Sequence, residues 1–472
     1  MYIDATLNPL AMRERVSRVL WQQGRVQLDS DANEQTAALL HYLRALGADV
    51  IGPHGGLRDS FAIGTQGQQI TIGYGVYYVD GIRCENLPPA FDLFAADATK
   101  LAPRLLWSQQ SDLPFTGNAA APHFDVQDGG GMIVYLDVWE RDITSAQDDA
   151  IREVALGGAD TSARAQIVWQ VRKFRFDEQA LQKATVQGRQ FLGAAKGTFL
   201  GDLDEAYLIL NLLLRSSARL AVQAGESKDT NPCVISPEAR YRGTENQLYR
   251  IEIHDGGNSP TFKWAIDNGS VVYPITRFSS STIEVDSLAR DERSGLTDRH
   301  WVEVVDDDST LTQTPNPVLK VVKVDRTRME VMVDGNPVSN PVRSLGRRPI
   351  LRRWDAEPKA IDLTKFVPLR SGLEVKFSTV PVPFGGFRSG DYWVVPARTV
   401  GGDVIWPRDA NGPLPQPPHG VDHHYAPLAR LDGQVFNSLR RTFQSLAQPN
   451  AAENEPVNES AAEPVKPRKR RK

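Results

Sequence analysis

Two spacings of apolar residues alternate along this chain. Residues 11 to 51 read as two helical segments, separated by the turn-like QQGR and a short strand around Arg25 to Leu28. In the second segment Ala38, Leu39, Tyr42, Leu43 and Leu46 recur at helical spacing. Asp31 and Glu34 before them have the form of a capping box, and Gly47 is the expected C-terminal stop. From Phe61 the period falls to two: QITIGYGVYYVDGIRCEN predicts strands and a hairpin turning at Asp80-Gly81. MIVYLDVWERDIT (132–144) and AQIVWQVRKFRF continue the alternation, with a short helical piece near Ala150 to Leu156 between them. Residues 86 to 130, rich in Pro, Ala, Asp and Gly, read as a long loop.

Residues 178 to 224 form a second helical region, in which LDEAYLILNLLLRSSARLAV carries a core-facing apolar side. From Asn231 to about Asp334 short strands crowd together: LYRIEIHD, TFKWAID, STIEVD, HWVEVVDDD, VLKVVKVD and MEVMVDG. That density predicts a small barrel or sandwich. The strands LEVKFSTV and DYWVVPAR follow, then a Pro-rich passage and a final amphipathic helix in VFNSLRRTFQSL. No repeat of fixed period stands out. The predicted fold class is α+β, mainly β, and multi-domain: a helical docking segment (1–60), a β-rich section closing with helices (61–230), the barrel or sandwich (231–345), a further β section with the last helix (346–446) and a disordered basic tail (447–472).

Composition narrows the class. The 472 residues exceed one ordinary core, so about two to four domains are expected. With 41% hydrophobic residues and a net charge of −4, the chain lacks the basic excess of a general nucleic-acid or membrane surface. No secretory h-region and no transmembrane-length apolar run is present, which predicts synthesis and retention in the cytoplasm. The two cysteines, Cys84 and Cys233, are expected as free thiols.

Candidate chemistry is sparse. Asp29, Asp31 and Asn33 alternate as in a calcium loop, but an EF-hand needs glycine at its sixth position and glutamate at its twelfth, where Glu34 and Leu40 stand. PPHGVDHHYAP gathers His419, Asp422, His423 and His424, the side chains of a transition-metal site, in a Pro/Gly-rich segment whose spacing fixes no geometry. Hydrogen bonding of these imidazoles within an irregular loop is the competing expectation. Asp137 and Glu140 have opposite parity on one strand and so face opposite ways, while Asp306, Asp307 and Asp308 end a strand. A glycosidase pair across a cleft is not visible in that spacing. Neither G-x-S-x-G nor a Walker A loop occurs, and IGPHGG and DGGGM read as turns. The nine tryptophans and twelve tyrosines sit mostly in strands, where core packing precedes sugar contact. Lys466, Arg468, Lys469, Arg470, Arg471 and Lys472 end the chain and can contact an acidic surface. No catalytic residue, metal site or cofactor site is assigned.

Long runs of the chain resemble an uncharacterised bacterial family, a domain of unknown function encoded near phage-tail-like contractile injection systems. These include VLWQQGRVQLDSDANEQ, YYVDGIRCEN, YLDVWERDIT, REVALGGADTSARAQIVWQV, RYRGTENQLYRIEIHDGG, SGDYWVVPARTV and PPHGVDHHYAPLA, and together with shorter ones they span residues 16 to about 430. The N-terminal run and the YYVDGI hairpin also look like segments of baseplate and tail-fibre proteins. The resemblance implies a structural or adaptor component at a baseplate, spike or fibre attachment, with other tail-particle proteins as partners; residues 16–46 are the expected assembly contact, because an amphipathic helix after the GRVQLDSD turn can dock on a partner. A carbohydrate-binding module or envelope-glycan hydrolase is the alternative. A toxin cargo with its metal at the histidines is a third.

Overall fold

The Asp80-Gly81 turn sets one corner of the molecule. Val79 pairs with Ile82 across it, and both turn residues have positive φ, 47° and 76°, as a type I′ hairpin requires. In this computed structural model, residue 2 and residues 15–67, 69–87, 104–113, 132–175, 202–225, 240–289, 295–338, 346–380, 386–432 and 435–443 are described. The fold is mostly β, with three α-helices among the described residues: α1 (Asp29–Ile51), α2 (Asp202–Leu214) and α3 (Asp307–Thr312).

Three cores form in a nested chain order. In the first, a four-stranded sheet ordered Val435–Ser438, His424–Asp432, Met132–Ile143, Arg164–Arg175 lies against another built on His54–Leu57, Gly75–Val79 and Ile82–Asn86. Between them Phe61, Tyr77, Leu136, Val138, Trp169 and Leu428 are buried. In the second, the strands Gln247–Asp255, Thr261–Ala265 and Tyr392–Arg398 face Ala218–Ala224 and Leu373–Thr379 over Tyr249, Trp264, Phe377 and Trp393. The third is a closed six-stranded barrel running from Val272–Ser279 to Ile350–Trp354, filled by Ile283, Val302, Val321, Val331 and Leu351. The barrel therefore leaves and re-enters the second sandwich, and the chain returns to the first through His424–Phe443. Among the described residues no helix is long and apolar enough to cross a membrane.

Every strand named from the alternation between Gln69 and Arg398 forms, but several other expectations give way. Residues 15–28 contain neither the expected helix nor the strand near Arg25 to Leu28. α1 starts two residues before the expected cap, so Asp31 stands inside its first turn and accepts the Leu28 backbone N–H at 3.2 Å. It also runs through Gly47 to Gly52, whose φ of 95° makes the stop. Gly47 serves contact instead: a Cβ there would lie 3.3 Å from Gly81 Cα, so its absence lets α1 cross the hairpin turn. ARLAVQA, expected helical, is the strand Ala218–Ala224, drawn into register with Leu373–Thr379. The last helix does not form in its described part either, residues 435–443. Val435–Ser438 pairs back on Ala429–Asp432, and Thr442–Phe443 runs parallel to Gly56–Leu57. For Ala218–Ala224 and Thr442–Phe443 pairing with a distant strand overrides a locally helical pattern, and for Val435–Ser438 a hairpin onto the preceding strand does so. The expected loop 86–130 contains the strand Leu105–Leu106 and a 3₁₀ turn, Trp107–Gln109. The sheets also cross the linear sections: Gln247–Ala265 lies outside the barrel, which is closed by Ile350–Trp354 from the following section. The basic tail and Cys233 lie outside the described residues; Cys84 is a buried free thiol.

Candidate functional site

His424 opens the strand His424–Asp432 and His423 stands just before it, and the two side chains go to different partners. His423 Nδ1 lies 2.6 Å from Asp137 Oδ1, and its ring stacks on Tyr425 and meets Trp139 at a tilt, 4.7 Å between centroids. Its Nε2 meets the Gln313 amide at 2.5 Å, just beyond α3 of the barrel unit. His424 Nδ1 lies 2.7 Å from Asp80 Oδ2, whose other oxygen accepts the Tyr207 hydroxyl of α2 at 2.8 Å. Burial raises the Asp80 pKa, but these two hydrogen bonds and the His424 and Arg215 charges outweigh it and leave the carboxyl below its ordinary value. His419 is directed elsewhere, accepting the Val394 backbone N–H at 3.1 Å. Among the described residues no three His, Cys, Asp or Glu side chains meet in a metal-holding group. The motif is brought together as a fastening of sheets, hairpin and helix.

The acidic strand ends act similarly. Asp137 is buried with His423 and Arg172, while Glu140, on the opposite face, forms a two-pronged pair with Arg44 of α1 at 2.7 and 3.2 Å. Asp306 caps α3 by accepting Ser309 N–H at 2.8 Å. Asp307, 1% exposed, receives Arg141 from the first sandwich at 2.9 Å. The barrel is thus tied to the first sandwich through a buried ion pair.

Where the three cores meet lies a cleft of about 250 Å³. Its wall is a charged layer between strands. Arg250 pairs with Glu252 at 2.7 Å, Lys263 with Glu252 at 3.3 Å and with Glu303 at 2.5 Å, and Trp354 Nε1 donates to Glu303 at 2.9 Å. Burial raises the Glu252 pKa, but Arg250, Lys263 and the Tyr2 hydroxyl overcome it and hold it down to about 2. Such a carboxylate stays ionised and cannot serve as the proton donor of glycoside hydrolysis. Asp391, pushed up to about 6 by burial, is bound to the Ser216 hydroxyl. Sequence reasoning missed this layer because Arg250 and Glu252, two apart on a strand, have the alternation of a solvent-facing edge. The only available signal was the recurrence of charges in four strands: LYRIEIHD, TFKWAID, HWVEVVDDD and ILRRW.

α1 presents the opposite chemistry. Only Ala38 of its 23 residues is buried. Leu39, Tyr42, Leu43, Leu46 and Val50 form an exposed apolar face, Leu43 61% and Val50 71% exposed, and Trp21 ahead of the helix is 61% exposed. Of the nine tryptophans, Trp21 alone is exposed and Trp301 half-buried; the other seven are buried.

A family model described as "Family of unknown function (DUF6519)" matches residues 5–191 and 210–453, and the chain belongs to that family. No curated protein and no solved structure matches it.

Proposed function

We propose that this member of a family of unknown function is a non-enzymatic structural or adaptor component of a phage-tail-like contractile injection system. It sits at the baseplate, spike or fibre attachment and acts by protein–protein assembly. The carrying observation is the bare apolar face of α1. A surface helix normally buries such a stripe, and this one, about 34 Å long at 1.5 Å per residue, leaves its stripe open. Burying one large apolar side chain contributes about 1.5–3 kcal/mol. Five such residues therefore reach the scale of a micromolar complex, about 8 kcal/mol, before association costs. The occupant is a subunit of the same particle with a matching apolar face. The resemblance of the N-terminal run and the YYVDGI hairpin to baseplate and fibre segments supports the same assignment, as does the commitment of the cleft carboxylates Glu252 and Glu303 to ion pairs with Arg250 and Lys263.

The test is incorporation. Particles purified from cells carrying Leu43→Glu/Leu46→Glu are expected to lack the chain while its level in the lysate is unchanged. Intact particles from a deletion strain, with the full set of other subunits, would refute the proposal. The alternative, a carbohydrate-binding module or glycan hydrolase, draws on the acidic groups lining the cleft, but seven buried tryptophans leave it little surface for stacking sugars.

A further inference from the structure

One aromatic ring is clasped between two guanidinium groups at the junction of the three cores. The centroid of the Tyr2 ring is 3.7 Å from Arg250 Cζ and 3.4 Å from Arg352 Cζ, and Tyr392 covers Arg250 at 3.6 Å. The Tyr2 hydroxyl donates to Glu252 Oε1 at 2.7 Å, and its backbone N–H donates to Asp142 Oδ2 at 2.8 Å. Asp142 belongs to the first sandwich, Arg250 and Glu252 to the second, and Arg352 to the barrel, so one residue touches all three units. Burial and the Glu252 charge raise the Tyr2 phenol, which keeps the proton it donates.

The walls have the form of a slot for a ring with a hydroxyl at its tip. Arg352 is 4% exposed, lines the cleft, and its Nε and Nη1 are buried without a hydrogen-bond partner. Its neighbour across the strands, Glu303, is committed to Lys263 and Trp354. A buried guanidinium without a carboxylate is costly, and here its flat face is given to an aromatic ring. Glu252 completes the slot: a phenol meets its oxygen, and a phenyl ring leaves it short of one donor.

We propose that this junction is a recognition slot for a phenolic side chain, held in cis by Tyr2 and able to receive Tyr2 from a second copy of the chain. The segment that fills it is the chain's own, so the same contacts form whether it is supplied in cis or in trans. Residues 15–28, ahead of α1, have neither helix nor strand, and Leu20, Trp21, Val26 and Leu28 are exposed; the Val19 backbone N–H donates to Gln35 Oε1 of α1 at 2.9 Å, so this stretch is tied to the helix rather than to the cores around Tyr2. Exchange would link neighbouring copies through a site separate from the α1 face.

The test uses the full chain with Tyr2→Ala, titrated calorimetrically with N-acetyl-tyrosinamide and with a peptide of residues 1–15. Saturable binding of both is expected, with none to the wild-type chain, whose slot is filled. N-acetyl-phenylalaninamide is expected to bind at least tenfold more weakly, and Arg352→Met added to Tyr2→Ala should remove binding of all three. Absence of binding to a folded Tyr2→Ala chain overturns the slot. Binding of the amide without the peptide overturns exchange between copies. Should Tyr2→Ala fail to fold, refolding yield is the readout: rescue by N-acetyl-tyrosinamide but not by N-acetyl-alaninamide supports the slot, and equal yields overturn it.

Discussion

His54 sits fully buried beside Tyr77, its Nδ1 2.9 Å from the Tyr77 hydroxyl. Burial, with the Arg441 charge adding to it, lowers its pKa from the ordinary 6.5 to about 4, while Asp80 pulls weakly the other way. The unfolded chain therefore takes up this proton near pH 6.5 and the folded chain only near pH 4. The contribution is present in full above pH 6.5 and is lost as pH falls from there to 4, by about 3 kcal/mol at 1.36 kcal/mol per unit. Chemical denaturation of wild type and His54→Gln at several pH values is expected to show a shallower loss in the variant across that window; parallel curves would contradict it. None of this was legible in IGPHGG, which reads as a turn. A histidine becomes a buried neutral group only when a distant strand, here the tyrosine-bearing one, closes over it. His423 and His424 teach the same lesson. Their clustering was visible, but their partners Asp137 and Asp80 lie far away in sequence, and no local spacing encodes that pairing.

At the scale of elements, period-two alternation was the most readable signal. The Asp80-Gly81 hairpin and the strands Met132–Ile143 and Arg164–Arg175 formed where it pointed. Helical patterns were less secure, because 218–224 and 442–443 found strand partners far along the chain that no local rule names. The crossing of α1 over the hairpin yields a prediction. A Cβ on Gly81 would lie 2.1 Å from the Arg44 carbonyl oxygen, and its φ is +76°. Gly81→Ala is expected to cost about 2–4 kcal/mol, read as a lowered denaturation midpoint; an unchanged midpoint would show that α1 does not rest on the turn. The apolar face behaves oppositely. Leu43→Glu/Leu46→Glu removes no buried contact, so its melting temperature is expected within a few degrees of wild type even as assembly is lost.

For the whole molecule, the question is what holds three cores as one body. Composition and strand density indicated a mainly β, multi-domain chain. The nesting was not legible, because the strand closing each unit comes from far along the chain. The tie between barrel and first sandwich runs through Arg141 and Asp307, both buried. Removing one member of such a pair costs about 3 kcal/mol; Arg347 and Arg348, at 3.6 and 3.5 Å, retain part of the compensation. Arg141→Met is expected to raise hydrogen exchange in the barrel strands before the sandwiches open, whereas uniform exchange throughout would mean that this pair does not couple the units.

The most direct measurement of the central claim is recovery from the native cell of tagged wild-type and Leu43→Glu/Leu46→Glu chains, with co-purifying proteins identified by mass spectrometry. Sheath, tube or baseplate proteins are expected with the wild-type chain and not with the variant. Equal recovery by both chains, or no particle protein with either, would contradict an assembly role carried by α1.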